Sequence, residues 1–316
     1  MYGNPDWFMA EKRLTAFWNK EIIDRPCLQI FVDEPKAYYG EALPVLYPNA
    51  EHVAMAMGSS LEYASDTIWI HKSPGDICDL DFTDVSTEHE IIRQMADYFE
   101  HLCQASQGEY FIGFPHMGNP GDTLARMRGY ENLCMDLYDH PEKCFELEEQ
   151  ILNIWKMCYD LLHGIITKYM PGSCGWLPAW HPGRCALIEF DFCAMISQEH
   201  FKRYLPYLIQ RANHAEHAIY HLDGPDALKH LDALLDIKEI GFIQWEPGAG
   251  GGDILDWLPV MKKIQAADKG LYVSGGYHSI EKTKILLREL KPEGLMIPVW
   301  APNIGEAERL LNRSAN

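Results

Sequence analysis

The sequence contains no run of 18 apolar residues, so it offers no segment fit to cross a membrane as a helix. It has no Cys-x-x-Cys pair, no zinc-finger spacing, and no cysteine after Cys193. The nine cysteines are therefore expected to be mostly buried, reduced thiols of a cytoplasmic protein. Positive charge is scarce: 27 Lys and Arg face 46 Asp and Glu, for a formal net charge of −19. A field of that sign repels nucleic acid and anionic membranes, and argues against a strongly anionic substrate. No Gly-x-Gly-x-x-Gly follows a strand and no P-loop occurs, which weakens the case for a nucleotide-binding sheet. The first 20 residues hold five charges and no long apolar core, so no signal peptide is expected.

What is present is a chain of 316 residues, 47% of them hydrophobic, with nothing resembling a linker. Length alone allows two ordinary domains or one large barrel with extensions. Spacing of apolar residues predicts a helix over 6–19, a buried strand over 27–32, and a helix opening at Thr87 with Glu90 completing a capping box. A strand over 109–114, a helix from Pro141 to about Tyr169, a short strand within 175–181 and a helix capped by Ser197 follow. Pro206 is expected to break or kink that last helix.

The last third is the most regular. Strands over 218–222, 241–245, 270–274 and 295–300 alternate with helices over 226–235, 254–267, 280–290 and 304–311. Four βα units in succession imply a parallel sheet with right-handed crossovers. With the earlier strands the expectation is an α/β fold, a (β/α)8 TIM barrel with an N-terminal helical extension. It is expected to be a single domain over residues 1–316, its helical lobe within 1–105. A doubly wound sheet is the second choice.

In such a barrel, chemistry gathers at the carboxyl ends of the strands. That selects His116, His181, Asp191, His221 with Asp223, Gln244 with Glu246, the stretch from Ser274 through Tyr277 to His278, and Trp300. His221 and Asp223 share one strand face and could ligate a metal or form an acid/base pair; a helix cap and a locally bonded histidine explain them equally well. Glu189 and Asp191 are expected to share a face as paired carboxylates, or to be a solvated loop edge. Trp180, Trp245, Tyr277 and Trp300 are either pocket walls or core. His214 and His217 are expected on a helix surface.

The His221-x-Asp223-Gly224 strand end, the Phe190–Pro206 segment with its Ile196-Ser197 helix start, and Arg25-Pro26 after a helical lobe resemble the uroporphyrinogen decarboxylase superfamily. The similarity spans roughly residues 10–312, and is greatest to cobamide-dependent methyltransferases and their relatives in anaerobic bacteria. The resemblance implies the same barrel. It also implies methyl transfer from a small, O-methyl type donor to a corrinoid on a separate carrier protein, and a homodimer. In that branch a His-x-Cys pair and a later Cys bind zinc. Here His221 matches the histidine, Asp223 stands at the first cysteine, and the last strand carries none, so the resemblance leaves either a His/carboxylate site of His221 and Asp223 with Glu246, Asp191 or Glu189 as further ligands, or a divergent, metal-free site. His221, Asp223, Glu246 and Asp191 are then the catalytic candidates, and His116, Trp180, His181, Gln244, Trp245, Tyr277, His278 and Trp300 line the substrate pocket. Porphyrinogen decarboxylation is not expected, since Val32-Asp33-Glu34-Pro35-Lys36 lacks the arginines that would hold an octa-acid. A metal-assisted or acid/base lyase or hydrolase on a small neutral substrate, and a non-catalytic small-ligand binder, are the alternatives.

Overall fold

A computed structural model describes residues 7–48, 51–63, 68–71, 75–115 and 117–313. Helix α1 (Trp7–Trp18) buries Ala10, Leu14, Phe17 and Trp18, which recur every three or four residues, and leaves Met9 in solvent. Strand β1 (Cys27–Glu34) follows, and β2 (Ala37–Gly40) turns back antiparallel to it. Then come β3 (Val45–Leu46), α2 (His52–Ala56), β4 (Leu61–Tyr63), β5 (Ile68–Ile70), α3 (Glu90–Ser106) and β6 (Phe111–Ile112). β3 pairs in parallel with β6, and β4 antiparallel with β5. Helices α4 (Asp122–Arg128), α5 (Tyr130–Asp139) and α6 (Pro141–Ile166) complete the first half.

The second half alternates without interruption: β7 (Cys185–Glu189), α7 (Gln198–Ala215), β8 (His217–Asp223), α8 (Leu231–Leu235), β9 (Phe242–Glu246), α9 (Leu258–Ala266), β10 (Gly270–Val273), α10 (Ile280–Glu289), β11 (Leu295–Asn303) and α11 (Ile304–Arg313). One seven-stranded sheet results, in the order β2-β1-β11-β10-β9-β8-β7, parallel everywhere except at β2. From β7 to β11 each strand lies beside its successor, and β11 lies beside β1. Among the described strands the order never reverses, as it would in a doubly wound sheet. All four residues of β10 are buried, as expected of a strand covered on both faces. The parallel register sets Glu189 beside His221, His221 beside Gln244, and Asp223 beside Glu246, so these side chains meet at one edge.

Several elements differ from the expectation. α3 starts at Glu90, because the His89 ring accepts from the Ile91 amide and takes over the cap. Residues 175–181 form no strand; Pro178 and Pro182 cannot donate to a ladder, and only a Ser173–His181 bridge remains. Helix α7 continues unbroken through Pro206, which is exposed. The helix expected over 226–235 is mostly a 3-10 turn, Pro225–His230, before α8. His217 opens β8 rather than sitting on a helix, and its ring lies 3.9 Å from that of His181.

Candidate functional site

The site is built on the ends of β7, β8 and β9. β7 stops at Glu189, and Phe190, with ψ near 71°, turns the chain into a 3-10 helix, Asp191–Met195. The turn separates two carboxylates that the sequence puts on one face. Glu189 accepts from the Asn119 amide, and Asp191 swings toward β8. There the nearest atoms of Asp191 and His221, Oδ1 and Nε2, are 4.0 Å apart. Donor atoms of Asp191, His221 and Asp223 all lie within 4.8 Å of one another. His221 and Asp223, two apart on β8, reach this cluster together because side chains of a strand alternate.

A chain of hydrogen bonds determines which nitrogen of His221 carries its proton. The carboxylate of Glu246 can only accept, so the Ser274 hydroxyl donates to its Oε2, at 2.6 Å. The Ser274 oxygen then accepts from the Gln244 amide nitrogen at 2.8 Å. Gln244 is left with its oxygen toward His221 Nδ1, 2.8 Å away, which must therefore bear the proton. In the neutral ring, Nε2 then presents its lone pair on the side of Asp191 and Asp223. This is the tautomer of a metal-ligating or proton-accepting imidazole. Trp176 packs edge-on against the His221 ring at 5.1 Å and helps fix its plane.

Electrostatics set the same three residues apart. Burial, followed by the neighbouring charges of Asp122 and Glu189, raises the Asp191 carboxyl to about 7. Burial also raises Asp223, against the pull of His221. Asp191 Oδ1 is buried with no hydrogen-bond partner. A buried, unpartnered carboxylate oxygen beside a free imidazole lone pair and a second carboxylate is an acceptor-only set. It fits a divalent cation, or protonation of one acid.

Glu246, expected as a metal ligand, lies behind this cluster. Its oxygens take the Ser274 hydroxyl and the amides of Gly275 and Gly248, and Asp191 is the carboxylate that meets His221 and Asp223. Among the aromatic candidates, Trp180 is buried against Trp7 and gives its indole N–H to the Pro171 carbonyl. Trp245 is buried against Trp257. Tyr277 and Trp300 are 50% and 40% exposed, which puts them at the surface rather than in the core. His181 is buried beside His217 under Trp18, and burial lowers it to about 4. His278 is buried and lines an open cavity of about 410 Å3 with Glu246, Gly275 and Lys282. His116 lies outside the described residues. Arg25 is engaged by Glu41 through two bonds of 2.9 and 3.0 Å, so it is committed to the protein itself.

Sequence reasoning did not anticipate Trp176 against His221, nor the polar cluster beside the site. In that cluster Arg211 bonds the Glu189 carbonyl at 3.2 Å and the Asn119 side-chain oxygen. Asp122 accepts from the Phe192 amide at 2.8 Å, and Glu148 accepts from the Gly121 amide at 2.6 Å. The one available signal was helical periodicity, which sets Arg211 with Leu208 and Ala215 on the buried face of α7.

The chain matches no protein-family profile and no curated protein by sequence. Its fold is similar to that of a methyltransferase from Methanosarcina mazei, with a TM-score of 0.59 and 13% identity, over 97% of this chain and 98% of that chain. At such identity the likeness is one of architecture.

Proposed function

We propose that Asp191, His221 and Asp223 form the reaction centre of a methyltransferase-like enzyme that holds a divalent ion, zinc being the first choice. The observation that carries this reading is the His221 Nε2 lone pair, turned by Gln244 toward two carboxylates, one with a buried and unpartnered oxygen. The fold shared with a methyltransferase along nearly the whole of both chains supports the same class. In this reading the one-directional strand order closes into a single barrel, with the helical N-terminal lobe as its extension. The Phe114 amide bonded to the Cys174 carbonyl, and Gln29 of β1 reaching the Pro178 carbonyl, support closure.

His221 Nε2, Asp223 and Asp191 would hold the ion, and Gln244, Ser274 and Glu246 keep the imidazole in the right tautomer. An ion held there supplies Lewis-acid polarisation of a donor oxygen. The side chains around it exclude water on one side through Trp176, and the exposed Tyr277 and Trp300 stand where a small donor and a second protein would approach. The methyl acceptor in this reading is the corrinoid of a separate carrier protein, and the donor a small O-methyl compound. A second reading rests on the raised Asp191 carboxyl. Without an ion it keeps a proton near neutral pH that it can give to a leaving oxygen, with His221 Nε2 as the partner base, as a lyase or hydrolase requires.

The test is metal content with turnover. His221→Ala and Asp223→Ala are each expected to bind about one equivalent less metal than the parent protein, at unchanged far-UV circular dichroism. Methyl transfer from methanol or methyl ethers to reduced free cobalamin is expected to fall by more than about 100-fold in both, beyond the cost of disturbing a ligand's support. Equal metal content in parent and variants ends the metal reading and leaves the acid/base one. Unchanged turnover in His221→Ala ends both.

A further inference from the structure

A second group of metal-ligating side chains lies apart from the strand ends. Asp76 caps the 3-10 turn Ile77–Asp79 by accepting from the Cys78 amide at 2.9 Å, which sets Asp76 and Cys78 side by side. His140 closes α5 and precedes Pro141, the first residue of α6. Its Nδ1 stands 3.7 Å from Cys78 Sγ, and one donor atom from each of Asp76, Cys78 and His140 falls within 4.8 Å of the others. All three residues are exposed.

The spacing, which now serves an S–H···N hydrogen bond, is also that of two ligands on one ion. Sulfur and nitrogen bound to one zinc at roughly 2.3 and 2.05 Å, at a tetrahedral angle, are about 3.6 Å apart. The frame behind the residues is already in place. The Arg128 guanidinium bonds the Gly75 carbonyl at 2.8 Å and Asp136 at 2.8 Å, and the His140 amide bonds the Asp136 carbonyl at 2.7 Å. These links tie the turn carrying Asp76 and Cys78 to the corner carrying His140, so little chain entropy remains to be lost on ligation. Asp76 offers its second carboxylate oxygen, since the first is taken by the Cys78 amide. Asp79 adds negative charge nearby, and of the neighbouring cations Arg128 is held by Asp136 and Lys143 by Glu146 at 2.9 Å.

We propose that Asp76, Cys78 and His140 form a surface site for zinc or a similar borderline-soft divalent ion, with three protein ligands and a fourth position left to water. The site shares no residue with the Asp191–His221–Asp223 cluster, and it clamps the 75–79 turn to the α5–α6 corner. Binding exchanges the Cys78 S–H proton for the metal, and the proton passes to solvent.

Cobalt(II) distinguishes the two centres, because the strand-end cluster contains no sulfur. Titration of the full chain with cobalt(II) is expected to produce a near-ultraviolet thiolate-to-cobalt band with the intense visible absorption of tetrahedral cobalt, displaced by zinc. Cys78→Ser is expected to abolish the band, and His140→Ala to weaken cobalt binding at least about tenfold. Cys134→Ser, at the other thiol that is not buried, and His221→Ala are expected to leave it unchanged. No thiolate band at saturating cobalt, or a band that survives Cys78→Ser, overturns the proposal. Exposed positions keep folding out of the comparison, and circular dichroism of each variant checks this.

Discussion

Two polar clusters adjoin at the end of β7, built from the same residue types and opposite in character. In the inner one, around Glu189, the carboxylates are answered by cations, though Asp122 Oδ2, Glu148 Oε1 and Arg211 Nε have no hydrogen-bond partner. Arg211, fully buried, bonds the Glu189 carbonyl and Asn119, and Asn119 bonds the Glu189 carboxylate. Burial works against the Arg211 charge, and the carboxylates of Glu189 and Asp122 hold it in place. In the outer one, Asp191, His221 and Asp223 present acceptors to one another and Asp191 Oδ1 has no partner. The single residue Phe190 separates the two. Unpartnered oxygens occur in both, so the difference lies in the cations: Arg126 and Arg211 act on the inner carboxylates, and the imidazole of His221 faces the outer ones. The inner cluster braces the end of β7, and the outer one is where the proposed reaction centre lies.

The largest test of that contrast is stability. Arg211→Leu removes the fully buried one of the two cations, the other being Arg126, that act on Asp122 and Glu189, and is expected to cost about 3–5 kcal/mol in urea unfolding. Asp191→Asn, which replaces an unanswered carboxylate by a neutral amide, is expected to leave stability within about 1 kcal/mol of the parent or to raise it. Similar losses in both would erase the distinction.

A smaller effect comes from Glu148, buried below the inner cluster with one oxygen bonded by Gly121 and the other without a partner. Burial pushes this carboxyl up to about 8. Its folded-state value lies above its unfolded one, so its contribution is complete at acid pH and is lost as pH rises through 8. From about pH 5 to about pH 8.5 the parent protein is expected to lose up to roughly 3 kcal/mol through this group. Glu148→Gln should remove that part of the slope. A variant that tracks the parent across the range would show that water already answers the Glu148 charge.

Much of the outer site could be read from the chain itself. The alternation of β8 puts His221 and Asp223 on one face, and the βα rhythm after residue 216 sets four parallel strands in order. The rest depends on contacts that periodicity does not carry. Asp191 joins the site because Phe190 breaks the strand, whereas alternation alone would have kept it with Glu189. Trp180 and Trp245 look like pocket walls until their burial is known, since an indole packs equally well into a core. The N-terminal third was least legible. Its strands are two to eight residues long, and β3 finds its partner β6 across more than sixty residues of sequence. Short strands carry too few residues for a pattern to emerge.

The finest test concerns the three-link chain that joins the clusters' neighbour Glu246 to His221. Ser274→Ala deletes its middle oxygen while touching none of the three residues proposed to hold the ion. Gln244 then has no acceptor for its amide hydrogens and gains as much by turning them toward His221. That turn would favour a proton on Nε2, the nitrogen that faces Asp191 and Asp223. Metal affinity at the outer cluster is expected to fall about tenfold, near 1.4 kcal/mol, measured by competition with a chromophoric chelator. Ser274→Thr, which keeps the hydroxyl, should restore most of it. An affinity unchanged in Ser274→Ala would mean that the two carboxylates alone select the tautomer, and the contrast between an answered and an unanswered cluster would then rest on Asp191 and Asp223 without help from β9 and β10.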